Sequence, residues 1–105
     1  MARKNKYNAK KVKLDGFTFD SQLEAKHYWK LREAQKSGKI SDLKIHPKYP
    51  IIINKQKICD VVLDFEYIQD AQTHYVDVKG FYTSESKLRH KLLKAVYGHN
   101  IEIWK

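Results

Sequence analysis

The chain has 105 residues, and its 21 Lys and Arg against 12 Asp and Glu give a net charge of +9. That length allows one domain with a modest core, and a 42% apolar content with regular periodicity excludes a disordered chain. A single cysteine, Cys59, excludes a disulfide framework and a Cys-rich zinc site, and no apolar run is long enough to cross a bilayer. The expectation is a soluble cytoplasmic protein whose partner is a polyanion, with nucleic acid ahead of membrane.

Residues 1–11 are basic and poor in core side chains, which predicts an arm that folds onto its partner, with 12–105 as one domain. Lys4, Lys6, Lys10, Lys11 and Lys13 are the candidate phosphate contacts of this end. Val12 to Phe19 reads as a hairpin, because Asp15-Gly16 supplies the positive φ angles of a two-residue turn. Ser21 as N-cap, Glu24 three residues later and Gly38 beyond the end predict a helix over 21–37. On that helix Leu23, Ala34, His27, Leu31, Glu24, Gln35 and Tyr28 share an arc of roughly 140°, the predicted packing face. A carboxylate on such a face is costly unless paired, protonated or bound to a cation. Taken alone, Glu24 reads as the second half of a capping box begun by Ser21.

Ile45 to Pro50 is extended but kept out of a central ladder by its prolines, and Ile51 to Ile53 follows. Turns at Asn54–Lys57 and Gln69–Thr73 frame a strand from Ile58 to Tyr67 and another from His74 to Val78. In the first, Val61, Leu63, Phe65 and Tyr67 share one face, and Asp60, Val62, Asp64 and Glu66 the other. In the second, Asp77 and Lys79 share a face opposite Val76 and Val78. Acids and a lysine converging on neighbouring strands of a basic protein point to a hard-metal site acting on phosphate.

A second helix is predicted over Ser84–Tyr97, ended by Gly98 and followed by a strand at Ile101–Trp104. Leu88, Leu92, Ala95 and Val96 form its expected apolar stripe, leaving Lys87, His90, Lys91 and Lys94 as a cationic face for phosphate. The five histidines show no paired ligand spacing, so they read as surface or packing residues. Tyr82, Thr83 and Ser84 lie where phosphate could be met, with capping the commoner role for Thr83 and Ser84.

Ser21-Gln22-Leu23-Glu24, Asp64-Phe65 and Asp77-Val78-Lys79-Gly80, followed by a basic helix and an Ile-rich strand, resemble the PD-(D/E)XK nucleases of the restriction-endonuclease-like fold. Within that superfamily the chain is similar to small phage nucleases of the Holliday junction resolvase type. The resemblance spans about Phe17 to Trp104 and implies an α/β fold: an αβββαβ core, its mixed, mostly antiparallel sheet flanked by helices. It makes Glu24, Asp64, Asp77 and Lys79 the catalytic set. Asp64, Asp77, Glu24 and the Val78 carbonyl would hold Mg2+, with Mn2+ as a substitute. It further implies branched DNA as substrate, a homodimer, and a setting in phage replication or recombination in the host cytoplasm. Leu63 stands where the family usually has Pro, and Asp60, on the same predicted face, is the rival to Asp64. A restriction-type nuclease and a noncatalytic DNA-binding module are the alternatives.

Overall fold

Three two-residue turns set the strand pairing. Asp15-Gly16, Asn54-Lys55 and Asp70-Ala71 all have positive φ at both positions, the geometry that closes a hairpin with the twist its strands require. The computed structural model describes residues 10–105 and comprises β1 (Val12–Leu14), β2 (Phe17–Phe19), α1 (Gln22–Lys36), β3 (Ser41–Ile45), β4 (Lys48–Ile53), β5 (Gln56–Val62), β6 (Phe65–Gln69), β7 (Gln72–Val78), α2 (Ser84–Tyr97) and β8 (Ile101–Trp104). The predicted arm, with Lys4 and Lys6, lies almost wholly outside the described residues.

The central sheet has the order β3-β6-β7-β8, antiparallel except for the parallel pair β7-β8 that α2 connects. β1-β2 and β4-β5 form separate two-stranded ribbons. The order α1, β3, β6, β7, α2, β8 is thus αβββαβ, with one ribbon before it and one inserted after β3. The two faces of the sheet make two cores. Phe65, Tyr67 and Val76 pack with Phe19 and with Ala25, Tyr28 and Leu31 of α1. Tyr75 and Ile101 lie against the other cluster, formed by Tyr49, Ile51, Val61, Leu63 and Leu93 of α2. Because Tyr75 and Val76 are adjacent in one strand, the two cores sit on opposite faces and the helices flank the sheet.

Several expected boundaries change. The strand expected over Ile58–Tyr67 is two strands: β5 belongs to the ribbon, β6 to the sheet, and Leu63-Asp64 is the crossing point. Period-two burial survives the break, since Val61, Leu63, Phe65 and Tyr67 are all buried. The single shared face does not: Val61 and Leu63 enter the α2 core and Phe65 and Tyr67 the α1 core, because the chain changes sheets between them. β3 begins at Ser41, before any expected strand, because the polar stretch Ser-Asp-Leu-Lys occupies a sheet edge where half the side chains meet solvent. Pro50 pairs with Asp60 within the two-stranded ribbon rather than in the central sheet, as its missing N–H requires.

The packing face of α2 is also different. Leu88 is 58% exposed and Val96 40%, while His90 and Leu93 are buried. The expected stripe counted histidine as a polar residue. In the fold His90 finds a buried acid, and that contact, with Leu93, fixes which side of the helix meets the sheet. On α1 the buried positions are Glu24, Ala25, Tyr28 and Leu31, and Leu23 is exposed.

Candidate metal centre

Four elements end at one edge of the sheet. β3, β7 and β8 finish there and β6 starts there, as the pairs Ile45–Phe65, Phe65–Val76 and Val78–Trp104 require. Asp64 stands at the first turn-off from this edge. Its amide donates to Val76 O at 3.1 Å, and its Oδ2 accepts from the Val78 amide at 2.6 Å. The side chain thereby takes the hydrogen bond that a backbone carbonyl would have made had β6 begun earlier. The amide is the part of Val78 that the structure engages; its carbonyl was the group expected to face a cation.

His46 joins the cluster from the β3-β4 corner. Its amide donates to Asp64 O at 3.0 Å, and its φ is +54°, the left-handed turn conformation by which the chain reverses between β3 and β4. Its ring packs against Phe19 and reaches the start of α1, where Glu24 Oε1 accepts from His46 Nε2 at 3.0 Å. Ser21 caps α1, its Oγ accepting from the Glu24 amide at 3.1 Å. The Glu24 carboxylate, however, points into the cluster rather than back at the helix start, so the capping-box reading of its side chain gives way to a tertiary pair. One ligand atom each of Glu24, His46 and Asp64 lies within 4.8 Å of the others.

Asp77 adjoins them on β7. Its Oδ2 accepts from His90 Nε2 at 2.8 Å and lies 3.4 Å from Lys79 Nζ. Tyr82 completes the chain, its hydroxyl 2.7 Å from His90 Nδ1. Both ring nitrogens of His90 are thus engaged, Nε2 by the carboxylate and Nδ1 by the phenol, which holds the imidazole in one orientation. Expected on the solvated, phosphate-facing side of α2, His90 is instead buried against Asp77.

The crowding of acids has an electrostatic consequence. Burial, a hydrogen bond shared with Asp77 and the charges of Glu24 and Asp77 push the Asp64 carboxyl up to about 9, against the Val78 amide. Burial raises Asp77 as well, but hydrogen bonds from His90 and Asp64 and the charge of Lys79 outweigh it and leave Asp77 below its ordinary value. Asp64 is therefore the protonated partner of the pair. Glu24, His46 and Asp64 are spaced as a group that could hold a metal ion, with Asp77 beside Asp64. Glu24, Asp64 and Asp77 supply oxygen donors of the kind hard cations take.

Asp60, the rival to Asp64, sits on the ribbon and pairs with Lys57 at 3.0 Å. Among the expected DNA contacts, Lys87, Lys91 and Lys94 line a cavity of about 330 Å³ together with Tyr82, His90 and His99. That cavity shares His90 with the acid cluster. Lys10, Lys11 and Lys13 are exposed, with Lys11 3.7 Å from Asp20, and Lys13 lies on β1, whose Val12 and Leu14 pack in the α1 core across the sheet from α2. Thr83 is the N-cap of α2, its Oγ1 accepting from the Ser86 amide.

The fold and site define a mixed α/β protein, its mostly antiparallel sheet flanked by two helices and carrying an acid–histidine cluster at one end. The family described as "Protein of unknown function (DUF1064)" matches residues 4–105, and the chain belongs to it. No curated protein and no solved structure matches. No helix among the described residues is long and apolar enough to cross a membrane.

Proposed function

We propose that this chain is a divalent-cation-dependent endonuclease of restriction-endonuclease-like fold that hydrolyses phosphodiester bonds in branched DNA. The observation that carries the reading is the meeting of Glu24 from α1, Asp64 from the β5-β6 corner, Asp77 from β7 and Lys79 just beyond its end, groups 53 and 13 residues apart along the chain at Glu24–Asp77 and Asp64–Asp77. An ordinary surface ion pair explains Asp77 and Lys79 but not two further acids beside them, one of them 95% buried. The αβββαβ order, with its parallel last pair, supports the same reading.

Glu24, Asp64 and Asp77 would hold the cation, Mg2+ or Mn2+. When bound, such a cation supplies positive charge to the phosphoryl oxygens and makes a water acidic enough to attack near neutral pH. The protein's own groups do the rest. Lys79, held by Asp77, presents an ammonium to a nonbridging phosphate oxygen, where charge grows as the bond breaks. His90, itself held by Tyr82, keeps the Asp77 carboxylate in one orientation. The lysines around the neighbouring cavity bind the flanking strand through its phosphates.

A homodimer belongs to the same proposal. Leu88 and Val96 on α2 and Ile52, Ile58 and Val62 on the ribbon are left half exposed by this chain, and a second copy would cover apolar surface of that kind.

The test is a panel of labelled four-way junction, fork, flap, nicked and plain duplex DNA incubated with Mg2+, with Mn2+ and with chelator. Cation-dependent cuts near the branch are expected. Cutting of plain duplex at one sequence would replace this reading with a restriction-type nuclease, and salt-sensitive binding with every strand intact would replace it with a binding module.

A further inference from the structure

We propose that His46 is a metal ligand, so that Glu24, His46 and Asp64 form a mixed nitrogen–oxygen site that prefers a first-row transition dication to Mg2+. This rests on the reading of the acid cluster as a cation site and names the class of ion it takes. Glu24 Oε1 and His46 Nε2 are 3.0 Å apart. An octahedral ion with bonds of about 2.1 Å puts neighbouring ligands about 3.0 Å from each other, so the pair already has the spacing of one edge of such a shell. The third donor, on Asp64, lies within 4.8 Å of both and closes the face with a side-chain movement of an ångström or two, on the order of one rotamer adjustment.

The corner that carries His46 ties it to a second member of the group. His46 accepts a left-handed φ of +54° at a position followed by Pro47, and its amide is tied to the carbonyl of Asp64, one of the residues it would share the ion with. The ring of His46 lies between Phe19 and Glu24, with its Nε2 turned to the carboxylate and not to the aromatic face. The ring is also about one-third exposed, which leaves an ion a path to it. His90 cannot take this part: both its ring nitrogens are engaged, by Asp77 and by Tyr82. Imidazole nitrogen suits transition dications, whereas Mg2+ favours an all-oxygen shell with retained waters. The site therefore inverts the preference that a purely carboxylate set implies.

Pulsed EPR of Mn2+ bound to the full chain, without an affinity tag and without DNA, reads ligand identity directly. Nitrogen-14 modulation from one imidazole is expected in the wild type. It should be lost in His46→Gln and in His46→Asn and kept in His90→Gln. In calorimetric titrations the two His46 variants should bind Mn2+ about 10–100-fold more weakly while their Mg2+ affinity changes far less. Bound Mn2+ with no nitrogen coupling in the wild type, or coupling that survives in both His46 variants, overturns the proposal, and the wild-type spectrum decides even if a variant fails to fold. Nitrogen coupling in a protein that cuts no DNA would uphold this site and sink the nuclease reading alone. Cleavage by a protein whose Mn2+ shows only oxygen ligands would do the reverse.

Discussion

Asp77→Asn is expected to lower cation-dependent DNA cleavage by at least about a hundredfold while the protein stays folded. The asparagine keeps the size of the side chain and its one carbonyl oxygen can still accept from His90, so that buried hydrogen bond survives and the charge does not. Lys79→Ala separates two roles that simple loss of activity would confuse. If Asp77 holds the cation, raising the Mn2+ concentration should restore part of the activity of Asp77→Asn. If Lys79 acts on the phosphate, its loss of about a hundredfold should persist at saturating cation, in kcat and not in cation affinity. Initial rates on a labelled junction across a cation titration give both answers. Equal activity in wild type and both variants would remove Asp77 and Lys79 from the chemistry.

The second large effect is on stability, and its sign follows from the proton that Asp64 keeps. Its carboxyl is raised to about 9 in the fold, well above its value in an unfolded chain, so the native state binds a proton the unfolded state has released. Without cation, stability should therefore be greatest below the ordinary carboxylate pKa and fall as pH rises toward 9, by up to about 1.4 kcal/mol per pH unit for one proton. Asp77 acts in a different window: its lowered carboxyl contributes stability above its ordinary value and loses it as pH falls further into acid. Asp64→Asn should flatten the slope between about pH 5 and pH 8 and leave the cation-free protein more stable than wild type at the upper end. Denaturant melts at several pH values in chelator check this. A wild-type slope of zero, or an Asp64→Asn protein less stable than wild type at pH 8, would contradict the assigned proton.

What the sequence reveals of this site depends on whether the signal is local. Asp77 and Lys79 can be placed on one face from strand parity alone, and Glu24 stands out because a capped helix start fixes its rotation. Asp64 is readable because burial alternates without interruption where β5 ends and β6 begins, although the buried residues before it and after it enter opposite cores. That continuity also hides the break itself: period-two burial is identical whether one strand or two carry it. His46 and His90 leave no such trace. Each meets its acid across 22 and 13 residues through tertiary packing, and a ligand-spacing search within one element cannot find them. The local signal that was present for His46 is its place between β3 and Pro47, at a corner where the backbone reverses.

The misread face of α2 has the same origin. Hydropathy patterns treat histidine as polar, yet an imidazole whose two ring nitrogens both find partners packs in a core when acid and phenol are both in reach. Once Asp77 and Tyr82 satisfy His90, the helix turns Leu93 to the core and sends Leu88 and Val96 outward. The cationic cavity lies on the same helix, with His90 in its lining.

Proton release on cation binding joins the acid cluster to the ion most directly. Calorimetric titration of Mn2+ into the full chain near pH 7.5, repeated in buffers of different ionisation enthalpy, counts the protons expelled per ion. Close to one proton, falling toward none in Asp64→Asn, is the predicted result. Binding that expels no proton from the wild type, or no binding at all, would contradict the placing of a cation among Glu24, Asp64 and Asp77.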